Sequence, residues 1–266
     1  MVKKGLQENW VRRKVLSGET TIGCFMGLGS PNVAELLAHL GYEWLLIETE
    51  HNSLDSAQVE HMLMAIQGTD TIPLVRVPPA DLFSIQRSLD QGAMGVMVPM
   101  VKTPAEAEAV VAATRYPPKG KRGFGPLRAT RYTLEYDSYL DGANENILVA
   151  LILETVEAVE VLEDVASVPG VDVLYMGLWD LCLNMGLDPR QLPHPETDAV
   201  IKTALEVGEQ TGVAIGIGCD SPDDFLRRES EGFTFMACGS DLGLLIQAAT
   251  PKLEAFRASR SPGEDS

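Results

Sequence analysis

The sequence is poor in the features that mark several classes of protein. Basic residues are scarce, with 21 Lys and Arg against 38 Asp and Glu, so the formal net charge is −17. Nucleic acids and anionic membranes are bound through basic surfaces, so this balance argues against both as partners. No apolar run approaches the roughly 20 residues that span a bilayer, and the first residues contain no apolar signal core. We therefore expect a cytoplasmic protein.

Cysteine and recognisable catalytic motifs are also scarce. The four cysteines are Cys24, Cys182, Cys219 and Cys238, and none forms a Cys-x-x-Cys pair. Scattered cysteines beside strand-like segments are typical of buried free thiols in a reducing compartment. The sequence contains no Gly-x-Ser-x-Gly, Walker A or His-Glu-x-x-His motif, which leaves the chemistry to be inferred from the fold.

What the sequence does contain is a repeat of short apolar runs, each followed by a segment of helical periodicity. The predicted strands lie at 21–29, 44–48, 72–77, 95–100, 148–154, 171–177, 213–217 and 233–237. The predicted helices lie at 1–20, 31–40, 56–66, 80–90, 104–114, 136–144, 155–165, 181–185, 196–211, 222–231 and 241–258. Short continuous apolar strands are typical of parallel strands that are buried on both faces.

Eight strand–helix units in about 250 residues predict an α/β fold, the (β/α)₈ barrel. An open doubly wound sheet is the alternative, but no Gly-x-Gly-x-x-Gly turn follows the first strand. We expect residues 1–258 to form a single barrel domain and residues 259–266 to form a disordered polar tail. The connection at 115–132 is rich in Pro, Gly and Arg, and we interpret it as an active-site loop because ordered loops of this length are usually functional. It could close over an anionic substrate, or be only a flexible solvated loop.

Two carboxylates are predicted to meet at one edge of the barrel. Glu154 ends the fifth predicted strand and Asp180 follows the sixth, and catalytic residues of such barrels come from the C-terminal ends of strands. Two carboxylates on a rigid frame there would suit a hard cation such as Mg²⁺ or Mn²⁺. The alternative is that each residue caps the helix after it, since acidic residues favour helix N-termini, and spacing alone favours that explanation.

Other polar residues are predicted for the same edge. His51 follows the second predicted strand beside Glu48 and Glu50, where it is either a general base or a surface histidine. Arg76 lies in an apolar strand, where a guanidinium needs a carboxylate partner such as Glu48 or an anionic ligand. Asp90, at the end of the next helix, would on its own be interpreted as a surface residue.

Two carboxylates for a metal, an arginine for an anion and a histidine for a proton suit the enolisation of a 2-oxo acid. The metal would act as a Lewis acid on the keto oxygen and one carboxylate oxygen. The arginine would stabilise the developing enolate oxygen. No lysine stands at a predicted strand end, which disfavours an aldolase that forms a Schiff base.

Several segments resemble the HpcH/HpaI aldolase family, the class II pyruvate aldolases typified by 4-hydroxy-2-oxoheptane-1,7-dioate aldolase and 2-keto-3-deoxy-sugar-acid aldolases. The segments are GYEWLLIETEH (41–51), LVRVP (74–78), GAMGVMVPMV (92–101), RYPPKGKRGF (115–124), ILET (152–155) and GVDVLYMGLWDL (170–181). The likeness covers about residues 5–255, and the segments stand in the order that the family has.

The resemblance implies a barrel of the phosphoenolpyruvate/pyruvate superfamily and a homohexamer built as a trimer of dimers, with the last helix exchanged between partners. It implies a lyase that reversibly cleaves a 4-hydroxy-2-oxo acid to pyruvate and an aldehyde. The implied cofactor is a divalent metal ion, Mg²⁺ or Mn²⁺, with Co²⁺ as a third option. Oxaloacetate is a further 2-oxo acid that the same chemistry would accept.

By motif match, the resemblance also implies roles for single residues. Glu154 and Asp180 would be the metal ligands, with water completing the shell. Arg76 would hold the pyruvate oxygen. His51 would be the base, acting through water and oriented by Asp90 of the same or a neighbouring subunit.

The remaining assignments concern residues that depart from the family or flank its motif. Glu48 stands where the family commonly has Asp, near the base. The family's Gly-Pro-Ala-Asp-Leu-Ser reads Gly177-Leu-Trp-Asp-Leu-Cys here, and the backbone around Gly177, Trp179 and Asp180 would bind the pyruvate carboxylate. The bulky Trp179 could narrow the acceptor pocket or stack on a substrate.

The departures leave alternatives to the aldolase. An oxaloacetate decarboxylase or a carbon–carbon-forming synthase would use the same enolate chemistry. A non-catalytic barrel that serves as a scaffold is the alternative from another class. The joint presence of Glu154, Asp180, Arg76 and His51 counts against a scaffold, since each is costly or idle without a ligand.

Overall fold

The computed structural model describes residues 7–79 and 81–260, and its strands close into a barrel. Each strand pairs in parallel with the next, and β8 pairs with β1. The strands are β1 (Thr21–Met26), β2 (Trp44–Glu48), β3 (Ile72–Arg76), β4 (Gly95–Val98), β5 (Leu148–Leu153), β6 (Val173–Met176), β7 (Ala214–Cys219) and β8 (Phe235–Ser240). The predicted (β/α)₈ barrel is confirmed.

Twelve α-helices lie in the described residues, with at least one after each strand. They are α1 (Trp10–Leu16), α2 (Pro31–Leu40), α3 (Ser56–Ile66), α4 (Leu82–Asp90), α5 (Pro104–Thr114), α6 (Tyr136–Asn146), α7 (Val156–Glu160), α8 (Leu162–Ala166), α9 (Leu178–Asn184), α10 (Pro195–Thr211), α11 (Pro222–Glu231) and α12 (Asp241–Ala258), with a 3₁₀ helix at Pro189–Gln191. None of these helices combines the length and apolar character needed to cross a bilayer.

Two helices differ from the sequence-based prediction. The helix predicted over 155–165 is broken at Val161, whose φ of −119° and ψ of 23° are not helical. Several β-branched valines in this segment lower its intrinsic helix preference, which favours the break. The helix predicted at 181–185 begins earlier, at Leu178. Asp180 therefore lies in the first turn of α9 rather than ahead of the helix.

Predictions at the chain ends fall partly outside the described residues. Of the helix predicted over 1–20, only Trp10–Leu16 is helical, because the Asn9 side chain caps its start and the chain turns at Ser17; residues 1–6 lie outside the described part. The tail predicted at 259–266 begins where α12 ends. Its residues 261–266 also lie outside the described part, so their disorder stays a prediction. The helix predicted from 80 is observed from Leu82, and residue 80 is not described.

The core lies on both faces of the barrel wall. Alternate strand residues such as Trp44 and Phe235 fill the barrel interior, where their rings stack with centroids 4.2 Å apart. Their neighbours, such as Leu45 and Ile47, pack with the surrounding helices. Because both faces of each strand are buried, the apolar runs in the sequence are continuous rather than alternating.

Helix α1 closes the end of the barrel at which the strands begin. The Asn9 side chain donates a 2.7 Å hydrogen bond to the Met94 carbonyl, just before β4. Arg12 donates two 2.9 Å hydrogen bonds to the Asp172 carboxylate, just before β6. The opposite end, where the strands finish, remains the open face of the barrel.

The stacked rings in the barrel interior leave no space for a side chain at Gly23 in β1. A Cβ at this position would overlap the Trp44 indole, so Gly23→Ala is expected to lower the free energy of unfolding by about 3 kcal/mol. The measurement is the urea midpoint at constant m-value. Gly218→Ala is the control, because its Cβ would meet Tyr175 Oη at an ordinary 3.4 Å. Equal midpoints for the two variants would contradict the packing described.

Candidate active site

Carboxylates gather at the open face, where the strands end. Glu48 ends β2 and pairs in register with Arg76, which ends β3. Glu154 follows β5 directly, and Asp180 lies in the first turn of α9 after β6. The negative charges of Asp180 and Glu50 both raise the pKa of Glu154, so the three carboxylates form one electrostatic cluster.

Arg76 is held between two carboxylates. Its Nε is ion-paired with Glu48 Oε2 and lies 3.3 Å from Glu50 Oε2. Its guanidinium carbon lies 5.6 Å from the centre of the Phe25 ring. The salt bridge between Arg76 and Glu48 that the sequence left as one alternative is thus present. The Arg76 Nη atoms donate no hydrogen bond to any residue in 7–79 or 81–260, so they are available to a ligand.

Glu48 also shapes the turn that carries the histidine. Its Oε1 accepts hydrogen bonds from the backbone N–H groups of Glu50, at 2.6 Å, and His51, at 3.1 Å. The His51 side chain is 63% exposed, and its Nε2 lies 3.4 Å from Glu50 Oε2. One buried carboxylate therefore orients both the guanidinium and the turn leading to the predicted base.

Glu154 is buried at the centre of the cluster. Its Oε1 accepts a 2.6 Å hydrogen bond from the Met100 N–H, and Met100 adopts a left-handed φ of 57°. A non-glycine residue held in this conformation costs about 1–3 kcal/mol, and such strain clusters at functional sites. The pKa of Glu154 is raised to about 7, first by burial and then by the charges of Asp180 and Glu50, while the Met100 hydrogen bond and the charge of Arg76 oppose the rise.

The end of β6 passes very close to Glu154. A Cβ at Gly177 would lie 2.7 Å from Glu154 Cβ and 2.9 Å from Glu154 Oε2. Only glycine lets the backbone approach this closely, so position 177 is constrained by the carboxylate beside it. Gly177 is also the N-cap of α9 and supplies no side-chain cap, which leaves the first N–H groups of the helix without a side-chain acceptor.

The capping explanation does not fit Glu154. The side chain that caps α7 belongs to Thr155, which accepts a 3.2 Å hydrogen bond from the Ala158 N–H. Glu154 points instead to Met100 and the acidic cluster. Asp180 lies in the first turn of α9, where the helix dipole favours a negative charge. Its charge also raises the pKa of Glu154 and of Glu50.

The donor set fits a hard divalent cation. Burial raises the pKa of Glu50 as well, and the nearby charges of Glu48 and Asp180 raise it further, although Arg76 and His51 oppose this. Several desolvated carboxylates around one guanidinium are unfavourable unless a cation joins them. Among residues 7–79 and 81–260, no group of three or more His, Cys, Asp and Glu is arranged to hold a metal ion, so any cation here would depend on fewer protein ligands. Two carboxylates supplemented by water and substrate are typical of Mg²⁺.

Asp90 lies away from this cluster within its own chain. It ends α4, just before β4 begins, so it is at the barrel end opposite to His51. A five-residue strand such as β2 separates those ends by about 17 Å. The Asp90 Oδ1 instead accepts a 2.6 Å hydrogen bond from Arg122 Nη2, whose side chain is wholly buried. Asp90 therefore cannot orient the His51 of the same subunit.

The loop at 115–132 also lies at the closed end. Arg128 donates to Gln67 Oε1 at 3.0 Å, just after α3, and Arg131 donates to Glu135 Oε1 at 2.8 Å. The loop joins α5 to α6, and both connect to the end at which strands begin. It does not cover the open face of its own barrel, and its arginines are engaged elsewhere.

Three residues of the site are not among those predicted from the sequence. Glu50 contacts Arg76 and His51, and the acidic pattern next to His51 is a signal that could have identified it. The Phe25 ring lies beneath Arg76 and 5.8 Å from the Tyr175 ring. Strand alternation in β6 could have placed Tyr175 in the barrel, but no local signal marks Phe25.

Comparisons with known proteins agree with this architecture. The model of the HpcH/HpaI aldolase/citrate lyase family matches residues 21–248. A 4-hydroxy-2-oxovalerate aldolase from Rhodococcus jostii is 39% identical, over 93% of this chain and 96% of the relative. A 2-dehydro-3,6-dideoxy-6-sulfogluconate aldolase from Pseudomonas putida is 36% identical, over 91% of this chain and 94% of the relative.

A solved structure gives the same result. The crystal structure of an HpcH/HpaI aldolase/citrate lyase family protein from Burkholderia cenocepacia is 34% identical, with a TM-score of 0.88, and covers 94% of this chain and 99% of that chain. The chain belongs to the HpcH/HpaI aldolase/citrate lyase family. Membership confirms the resemblance stated from the sequence, and the names of the relatives agree with the predicted aldolase class.

The fit of a divalent cation can be tested without an activity assay. Mn²⁺ at about 100-fold its Kd should stabilise the wild-type protein by about 2.7 kcal/mol, a rise in Tm of about 5 °C or more. Glu154→Gln should remove most of that rise, because the central carboxylate is lost. Glu157→Gln is the matched control, since Glu157 is exposed three residues further on. A full rise in Tm for Glu154→Gln would reject Glu154 as a ligand.

Proposed function

We propose that this protein is a divalent-metal-dependent aldolase that reversibly cleaves a 4-hydroxy-2-oxo acid into pyruvate and an aldehyde. The observation that carries the proposal is the juxtaposition of Arg76 with the acidic cluster of Glu154 and Asp180 at the open face. Family membership and the aldolase names of the relatives support it.

The pyruvate half of the substrate would be held by groups that the chain leaves available. The Arg76 Nη atoms would donate to the 2-oxo oxygen, and the first N–H groups of α9, beyond Gly177, would receive the carboxylate. A divalent cation held by Glu154 and Asp180, either Mg²⁺ or Mn²⁺, would supply Lewis-acid activation of the 2-oxo group. Glu48 and Glu50 would keep the guanidinium aimed at that oxygen.

Cleavage requires the movement of one proton and one electron pair. The proton of the C4 hydroxyl leaves as the C3–C4 bond breaks, and the bonding electrons pass into the enolate of pyruvate. Arg76 would stabilise the enolate oxygen, and C3 is then protonated. His51, on the turn fixed by Glu48, would accept the hydroxyl proton through a water molecule.

Assembly into a homohexamer, a trimer of dimers, would complete the site. Helix α12 exposes many large apolar residues, which are Leu242, Leu245, Ile246, Leu253 and Phe256. Exposed apolar surface of this kind is typical of an interface and supports exchange of the last helix between subunits. Phe83 and Phe124 are also exposed in the segments that carry Asp90 and Arg122. Burial of that surface against a second subunit would bring Asp90 to a neighbouring His51.

A decarboxylase of oxaloacetate, or a synthase that forms a carbon–carbon bond, is the second candidate. Trp179 is 62% exposed beside Asp180 and lines the same groove as Arg76 and Glu154, where its bulky indole would narrow the space for an aldehyde. The same enolate would form, but from oxaloacetate with loss of carbon dioxide.

Pyruvate release tests the reaction. A panel of 4-hydroxy-2-oxo acids and oxaloacetate is incubated with Mg²⁺, Mn²⁺ or EDTA, and pyruvate is measured by reduction to lactate. We expect cleavage of at least one 4-hydroxy-2-oxo acid, and we expect EDTA to abolish it. Turnover of oxaloacetate alone would favour the second candidate. Cleavage that persists in EDTA would reject the metal-dependent mechanism.

Mixing two inactive variants tests whether Asp90 acts across subunits. His51→Ala and Asp90→Ala are each expected to be inactive. If each site combines His51 of one subunit with Asp90 of another, random mixed oligomers should recover the activity of about a quarter of the sites. His51→Ala mixed with the double variant is the control, because no subunit then supplies the histidine. Absence of recovery in verified mixed oligomers would reject Asp90 as the residue that orients His51.

A further inference from the structure

We propose that the aldehyde partner of pyruvate is uncharged, an inference that rests on the proposed aldolase function and adds its substrate class. An acceptor that carries a carboxylate, sulfonate or phosphate would need a cation at the open face beyond the one that serves pyruvate. The charges at the strand ends, and in the turns directly after them, provide no such cation in the described residues.

Two basic side chains other than histidine occupy these positions. Arg76 is bound by Glu48 and Glu50 and is committed to the 2-oxo acid. Lys102, four residues after β4 ends, has its Nζ 3.7 Å from Glu157 Oε1, and both side chains are well exposed. Glu157 therefore partly neutralises the charge of Lys102. Arg76 cannot receive a second anion while it holds the 2-oxo acid.

Acidic residues at the same positions are more numerous. They are Glu48, Glu50, Glu154, Asp180, Asp220 and Asp241. Asp241 is buried and accepts hydrogen bonds from the Gly27 and Leu28 N–H groups, at 2.8 and 3.0 Å, so it serves the fold. Against the five negative charges of the other carboxylates stands one positive charge, that of the Arg76 guanidinium. A divalent cation would still leave an excess of two negative charges before pyruvate adds a third.

The exit from the mouth is acidic as well. The groove that contains Arg76 and Glu154 continues past Trp179 to Asp220 and Asp224. Asp220 directly follows β7 and lines the same groove as Arg76 and Glu154, so it belongs to the mouth. An anionic acceptor that entered this way would meet like charge, whereas an uncharged aldehyde would meet the indole of Trp179.

Basic residues further along the groove are already paired. Arg227 Nη1 lies 2.7 Å from Glu231 Oε1. Arg228 Nη1 lies 3.1 Å from Glu231 Oε2, and its Nε lies 3.7 Å from Asp224 Oδ1. Both belong to α11, outside the barrel wall. They neutralise acidic neighbours, and Lys202, the other basic residue along this part of the groove in the described residues, has its Nζ 3.8 Å from Glu206 Oε1.

A second subunit that presents Asp90 would bring few cations with it. Arg122 is wholly buried against Asp90, and Arg128 and Arg131 are hydrogen-bonded within their own chain. Arg87, three residues before Asp90, is exposed and lies over the Phe83 ring at 4.6 Å, and Lys121, next to Arg122, is also exposed. Arg87 and Lys121 are therefore the side chains that most directly challenge the proposal.

The experiment compares three acceptors in condensation with pyruvate. They are 4-oxobutanoate, its methyl ester and butanal, which share a chain length and differ in charge. We expect kcat/KM for the ester and butanal to exceed that for 4-oxobutanoate by at least about tenfold. An equal or higher value for 4-oxobutanoate would overturn the proposal.

Exchange of the pyruvate C3 protons with D₂O, followed by NMR without any aldehyde, separates this inference from the proposed function. If exchange occurs and 4-oxobutanoate is preferred, the uncharged acceptor is wrong and enolisation stands. If no exchange occurs and no acceptor is consumed, the proposed function itself has failed, and the inference fails with it.

Charge variants test the cause of the selectivity. Asp220→Lys should raise kcat/KM for 4-oxobutanoate by about tenfold and leave pyruvate exchange unchanged. Asp164→Lys makes the same change of charge on α8, away from the mouth, and should alter neither. No gain for Asp220→Lys would overturn the electrostatic cause. Arg87→Gln should affect no acceptor, and a selective loss with 4-oxobutanoate would show that this arginine binds an anionic acceptor.

Discussion

The ion pair between Arg76 and Glu48 is the interaction on which the rest of the site depends. The barrel sets these residues side by side, because β2 and β3 end in register. A largely buried guanidinium at this point would be costly without a carboxylate. One Glu48 oxygen pairs with the guanidinium, and the other accepts hydrogen bonds from the N–H groups of Glu50 and His51. Glu48 therefore fixes both the orientation of the Arg76 side chain and the backbone of the turn that carries His51.

A second constraint comes from the crowding around Glu154. Burial and like charge raise the pKa of this carboxyl to about 7, Met100 is held at a left-handed φ, and Gly177 leaves no room for a Cβ. Each feature is unfavourable on its own, and a structural role for Glu154 would not require them together. Local costs of this kind are expected where a chain is shaped for a ligand.

The fold was predictable from the sequence, but the site only in part. Strands buried on both faces give continuous apolar runs, so the barrel and the residues at its strand ends follow from the pattern. Phe25 and Tyr175 resemble other core aromatic residues in sequence, and only the closed barrel shows that Phe25 lies beneath Arg76 with Tyr175 next to it. The location of Asp90 was hidden for a different reason. Spacing shows that it ends a helix, but the direction of that helix carries it to the opposite end of the barrel from His51.

The position of Asp90 also bears on why this barrel would assemble. His51 is exposed at one end of the barrel, and its one described ion-pair contact is with Glu50, which is itself shared with Arg76. Asp90 is fixed at the other end by a buried arginine, with its carboxylate partly exposed. The chain thus builds the two groups as separate rigid features and cannot join them by local motion, because a whole strand length lies between. If the pair acts together, the contact between subunits supplies the geometry that the monomer lacks, and catalysis depends on assembly through that contact.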